Sequence, residues 1–292
     1  MPVPRALPLF LILGLVAGSQ SGNIVRIGDA PPAAIVAWRL FLAALLMAPL
    51  AGRHLRELAH FSRKYLLLLF AAGIALALHL LTWVAAVQRT TVANAATFFA
   101  INPVITAGLS HVIFGERVAK KLLLSIALGL CGVALMGGTD LNLQPGHLGG
   151  NLLAVLCALL FSAYFLLGRQ VRERLDNRAY VTALYAIGAV LCFAVLGALG
   201  HPLVRYSSRS WLCFVLMALV PTMICHTSLN YALKYLPPGR IATFTLSEPL
   251  LAGLVALAAW GEPLTPHLIA GYALISGSVV VAVHEAGTGG RP

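Results

Sequence analysis

The chain has 292 residues, 60% of them apolar and 10% charged, and a formal charge of +11. So little charge excludes a water-soluble globular domain, whose composition runs to about 25% charged residues. Nucleic-acid binding is excluded as the meaning of the positive charge, because lysine and arginine sit singly or in short clusters between apolar runs.

Ten apolar runs of membrane length follow one another, at 6–24, 31–51, 65–87, 91–114, 119–137, 148–168, 178–199, 211–232, 239–260 and 264–284. Roughly 20 apolar residues cross the hydrocarbon core, and only a helix satisfies its own backbone there. The first run, from Ala6 to Ala17, has the outline of a secretory signal, but it continues through Ser19 and Gln20 without a cleavage site and reads as a first transmembrane helix. The connections are short and leave no room for a soluble domain. The fold class expected is an all-α integral membrane protein of ten transmembrane helices.

Orientation follows from the cationic residues, which gather on the cytoplasmic side of membrane proteins. With both termini inside, 15 of the 20 lysines and arginines are cytoplasmic, 4 (Arg26, Arg89, Arg205 and Arg209) are outside, and Arg39 lies within a span. The expectation is a multi-pass protein of the cell inner (plasma) membrane with both termini cytoplasmic. Cys131, Cys157, Cys192, Cys213 and Cys225 all lie within apolar runs, odd in number and without CxxC spacing, so they read as reduced packing residues.

The two halves share a pattern. Ala96-Thr97-Phe98, Asn102-Pro103 and Gly115-Glu116 recur as Ala242-Thr243-Phe244, Glu248-Pro249 and Gly261-Glu262, always 146 residues on, and His79 matches His226 with one residue of slippage. Each half, 6–137 and 148–284, then holds five helices. An odd number of crossings makes the second copy enter from the opposite side, which is an inverted repeat and suits alternating access. Pro103 and Pro249 fall at equivalent places inside spans four and nine and are expected to be paired hinges.

Few polar groups enter the spans, and those that do are candidates for lining a path. Glu248, about 13.5 Å into span nine, would sit near the midplane, either facing a substrate ammonium or a proton, or capping groups freed by Pro249. Its mate Asn102 is neutral, which keeps a shared structural role open. His79 and Trp83 lie on one helical face, as do Thr222, His226 and Asn230 in the matching segment, so two polar stripes would oppose each other. Gln20 beside Ser19, Tyr164 beside Ser162, and Thr97 and Thr243 are further candidates, each equally readable as an interhelical hydrogen bonder. Arg39 could receive a substrate carboxylate or hold helix-end carbonyls. Glu116 and Glu262 end spans after glycine, suit gate or loop anchoring, and are not expected in the binding site. Phosphate-loop, metal and nucleophile signatures are missing, so neither an enzyme nor a cofactor is expected.

Trp38-Arg39, Thr91 to Ala95, Asn102-Pro103, Gly115-Glu116-Arg117 and Gly129 to Gly132 in the first half, with Glu248-Pro249, Gly261-Glu262-Pro263-Leu264-Thr265 and Gly271 to Gly277 in the second, carry a family likeness. In order, spacing and duplication the chain resembles paired EamA-type domains of the drug/metabolite transporter superfamily, most of all its YddG-like aromatic amino-acid exporters. The resemblance implies ten helices around a central cavity and a monomeric secondary transporter exporting small metabolites, aromatic and other neutral amino acids, by alternating access. The alternative it leaves open is a multidrug or lipophilic-cation exporter of the same fold. The partners implied are a small-molecule substrate, the lipid bilayer and, if transport is coupled, protons; no sodium cage is visible in the spans.

Overall fold

A computed structural model describes residues 3–116, 118–137, 145–260 and 265–288. Among them no strand occurs. Fourteen α-helices follow in order: α1 (Leu7–Ser19), α2 (Ser21–Val25), α3 (Pro32–Ala51), α4 (Arg63–Arg89), α5 (Val92–Phe99), α6 (Asn102–Phe114), α7 (Lys120–Gly137), α8 (Pro145–Arg172), α9 (Asn177–Ala198), α10 (Ser208–Met217), α11 (Thr227–Ala232), α12 (Pro238–Phe244), α13 (Glu248–Trp260) and α14 (Pro266–Thr288). Eight helical stretches among the described residues are long and apolar enough to cross a membrane: 7–25, 32–60, 63–89, 92–114, 146–172, 177–198, 208–232 and 266–284. The remaining two sequence spans are helical as well, as α7 and as α12 with α13. The Gly261-Glu262-Pro263-Leu264 segment and Arg117 lie outside the described residues.

The helices bury aliphatic and aromatic side chains against one another and leave many further large aliphatic ones exposed. Leu9, Ile12, Leu45, Leu67, Val112 and Val190 are exposed, while Tyr164, Tyr180, Tyr185, Phe165 and Phe214 are fully buried. A surface this apolar is matched to lipid. Helices α3 and α9 pack together, as do α6 and α12, and α7 and α14; α4 packs on α8, and α1 packs on the segment between α10 and α11. The α7–α14 pair meets backbone to backbone: a methyl group on Gly132 would lie 2.8 Å from the Gly271 carbonyl oxygen, and one on Gly271 2.9 Å from that of Gly132. Small residues permit this approach, as expected for membrane helices.

Helix ends outside the membrane are held by side chains. Thr91 accepts from the Asn94 N–H at 3.1 Å and Asp176 from the Arg178 N–H at 2.9 Å. Gly115, at φ +67°, ends α6 with its N–H on the His111 carbonyl. In the loop before α3, Asp29 accepts hydrogen bonds from the Ser210 and Ser207 hydroxyls, which hold its carboxyl below the usual carboxylate range.

Besides Pro49, which lies within α3, three prolines mark breaks or irregular turns, and each freed carbonyl is recovered differently. Pro103 stands in the first turn of α6, after a break at Ala100-Ile101; the Phe99 carbonyl, which it cannot bond, accepts from Asn102 Nδ2 at 3.1 Å. Pro221 lies in a π-helical stretch, Ala218–His226, where Thr222 Oγ1 donates to the Met217 carbonyl at 2.8 Å. Pro249 is the second residue of α13, after a 3₁₀ turn at Thr245–Ser247 in which the Glu248 N–H bonds the Thr245 carbonyl. Spans four and nine are therefore each two half-helices. The kink expected at each proline is thus a break, and each proline begins the second half-helix, where its missing N–H leaves one carbonyl to another donor.

Candidate functional site

The interrupted segments converge with α1, α4 and α8 on a divided central cavity. One compartment, about 50 Å³, is lined by Ser21, His79, Trp83, Phe99, Phe161, Pro221, Cys225, His226 and Glu248, among others. The other, also about 50 Å³, is lined by Ser19, Val92, Asn102, Thr245, Leu246 and Pro249 together with Trp83, Phe99 and Glu248. Gly18, Trp83, Phe99 and Glu248 border both, so they form the partition.

Glu248 begins α13, and its carboxylate makes no hydrogen bond or ion pair with any described residue; it rests against α1, where a methyl group on Gly18 would come 3.0 Å from Oε1. Because the Thr245 carbonyl is satisfied by the Glu248 backbone, the side chain is not used to repair the break. Its mate Asn102 is: fully buried, it bonds the Phe99 carbonyl and, at 3.3 Å, Thr245 Oγ1. Equivalent positions in the two halves thus do different work, a helix cap in one and a free acid in the other.

His79 and His226 face each other with ring centres 6.0 Å apart. His79 Nδ1 lies 3.1 Å from the Cys157 carbonyl, whereas His226 Nδ1 is buried without a partner. Trp83 donates to Ser21 Oγ at 3.1 Å and meets the Phe99 ring edge-on at 5.7 Å; Phe161 lies 5.5 Å from Phe99 and 5.2 Å from His79. The cavity wall is thus aromatic, with one acid and two imidazoles.

Of the residues singled out in the sequence, His79, Trp83, His226, Glu248, Asn102, Ser19 and Pro249 line this cavity. Seven others do not. Tyr164 and Asn230 stand behind His226, fully buried, and approach one another without closing a hydrogen bond of good geometry. Gln20 bonds Ser19 and Asn23 where α1 meets α2. Thr97 and Thr243 return their hydroxyls to the Ala93 and Gly239 carbonyls. Arg39 is fully buried in the wall; its Nε donates to Thr222 Oγ1 at 2.9 Å, and Nη1 and Nη2 have no partner. Glu116 pairs with Arg169 at the end of α8, and Arg169 covers the Phe114 ring.

The EamA-like transporter family matches this chain twice, over residues 6–138 and 148–283. The chain belongs to the EamA-like transporter family. An uncharacterized transporter of Archaeoglobus fulgidus is 32% identical over 70% of this chain and 72% of its own length. The uncharacterized transporter YwfM of Bacillus subtilis is 24% identical over 91% of this chain and 90% of its own. A crystal structure covering 99% of this chain and 100% of that one superimposes with a TM-score of 0.81 at 20% identity, a likeness of fold. This EamA protein is therefore a multi-pass membrane transporter built from two repeats, and its relatives imply transport rather than catalysis.

For this EamA chain the sequence reading missed Phe99, Phe161, Ser21 and Cys225. Phe99 carried a usable signal, since it is the mate of Thr245 at the same offset of 146 that pairs Asn102 with Glu248. Phe161 gave none, being one aromatic among many in an apolar run.

Proposed function

We propose that this protein is an inner-membrane secondary transporter exporting small metabolites, aromatic and other neutral amino acids, by alternating access. The observation that supports the reading most is the unpartnered Glu248 carboxylate on the partition between two compartments, flanked by Trp83, Phe99 and Phe161. An acid held away from water attracts a substrate ammonium, and the rings suit an apolar or aromatic side chain. In this reading ten helices cross the membrane, both termini are cytoplasmic and the chain acts as a monomer on a small-molecule substrate.

An inverted relation between the halves accounts for the packing. Under a two-fold exchange spans two and seven, four and nine, and five and ten are mates, and each pair is in contact; the packing of span three on span six is mirrored by that of span eight on span one. The half-helices of spans four and nine would then move as mates, Pro103 and Pro249 marking the joints.

A second reading, export of lipophilic cations, is favoured by one observation: Glu248 lines the cavity and Arg39 does not. A carboxylate would have to be met by His79, His226 or Asn102. Transport competition in proteoliposomes separates the two. The leading reading expects amino acids to compete with one another and quaternary ammonium dyes to be without effect; the reverse pattern rejects it. Counterflow with and without an imposed pH gradient tests proton coupling, which an absolute sodium requirement would refute.

A further inference from the structure

A third space lies at the membrane face that carries most of the lysines and arginines. It measures about 220 Å³, against about 50 Å³ for either central compartment, and is lined by Ala107, Ser110, Glu116, Val118, Leu122, Pro237, Gly239 and Arg240. Opposite charges thus border one cleft, the Glu116 carboxylate from the end of α6 and the Arg240 guanidinium from α12. Glu116 uses Oε1 for Arg169, and Arg240 has a contact of its own, so a ligand would share both charges with the protein. Ser110 also faces the cleft, 2% exposed, and its hydroxyl has no partner.

A polar stripe runs from this cleft to the cavity. Asn102, Thr106 and Ser110 are four residues apart on one face of α6, about 12 Å from end to end. Asn102 lines the second compartment, Ser110 lines the cleft, and Thr106 between them is buried, bonded to the Asn102 carbonyl at 2.8 Å and to Ser162 Oγ at 2.8 Å. The floor of the cleft is the contact of α6 with α12, where a methyl group on Gly239 would lie 3.1 Å from Ala107 Cα.

We propose that the cleft is a separate binding station for a zwitterionic amino acid, its carboxylate on Arg240 and Ser110 and its ammonium on Glu116, from which substrate passes along the Asn102–Thr106–Ser110 face when α12 parts from α6. The proposal rests on the amino-acid export reading and adds a second site to it. A cleft bordered by both charges discriminates zwitterions from lipophilic cations, which the central acid alone does not.

The test is equilibrium binding of L-phenylalanine, its amide and its N-acetyl derivative to the detergent-solubilised full chain. Two phenylalanine sites per chain are expected, one of which survives Glu248→Gln. In that background Arg240→Gln and Glu116→Gln each weaken the remaining site about tenfold or more, the loss of one charge-assisted hydrogen bond. Arg240→Gln does not further weaken the amide, nor Glu116→Gln the N-acetyl compound. Arg169→Gln, which breaks the Glu116 ion pair but leaves both cleft charges, keeps the site; the same loss in that variant would mark structural damage and overturn the proposal. A single site abolished by Glu248→Gln and untouched by Arg240→Gln overturns the cleft while leaving the export reading standing. Wild-type protein that binds the amide but not phenylalanine overturns both.

Discussion

Asn102 in the first repeat donates a hydrogen bond to the Thr245 hydroxyl in the second, 143 residues away, at 3.3 Å. Thr245 Oγ1 in turn donates to the Ala242 carbonyl at 2.8 Å. The two helix breaks are thereby tied to each other beside the cavity. Removing the tie by Thr245→Val should lower stability by about 1 kcal/mol. Asn102→Ala should lower it by about 1–3 kcal/mol, because the Phe99 carbonyl then also loses its donor. Thermal unfolding in detergent ranks the two; equal shifts would mean that the Phe99 bond contributes nothing.

The prolines give a second expectation. Each starts a half-helix, so alanine there restores an N–H that can carry the helix through the break. Pro103→Ala and Pro249→Ala should slow turnover several-fold and leave substrate affinity and folding largely intact, by favouring one access state. Transport rate measured beside binding affinity checks this, and wild-type turnover in both variants would sink the hinge.

Close packing of α7 on α14 can be tested with an internal control. Gly132→Ala places a methyl group against the Gly271 backbone and should cost about 1–3 kcal/mol. Gly277→Ala, with no atom within 4 Å of the added methyl, should be neutral or stabilise by up to about 1 kcal/mol. Unfolding midpoints that do not separate the two would contradict the contact.

Much of this was legible in the sequence because lipid imposes two simple demands, apolar surface and internally paired backbone, which fix helix positions within a few residues. The repeat offset pointed to both break positions and to the acid at the second. It did not show that Asn102 caps a carbonyl while Glu248 stays free, because that depends on which freed carbonyl each backbone can reach. From their polarity alone Arg39, Tyr164 and Asn230 could be either path-lining or structural hydrogen bonders. Their helices turn them into the wall, a rotation that hydropathy does not encode when a span is apolar on every side.

Solution pH should act on the loop clamp at Asp29. Its carboxyl is held low by the Ser210 and Ser207 hydroxyls, so the clamp contributes fully above the unfolded carboxylate range and is lost as pH falls through the lower folded value. Asp29→Asn should therefore be less thermostable than wild type at pH 7, and the difference should shrink below about pH 4. A difference that grows on acidification would assign the clamp to the neutral carboxyl.

The central claim is that Glu248 holds the substrate ammonium. The most direct measurement is counterflow of radiolabelled L-phenylalanine in proteoliposomes containing wild type or Glu248→Gln, which keeps shape and removes charge. At least a tenfold loss of transport is expected in the variant, with unfolding temperature unchanged, since no described side chain depends on the carboxylate. Transport at the wild-type rate by Glu248→Gln would contradict the account.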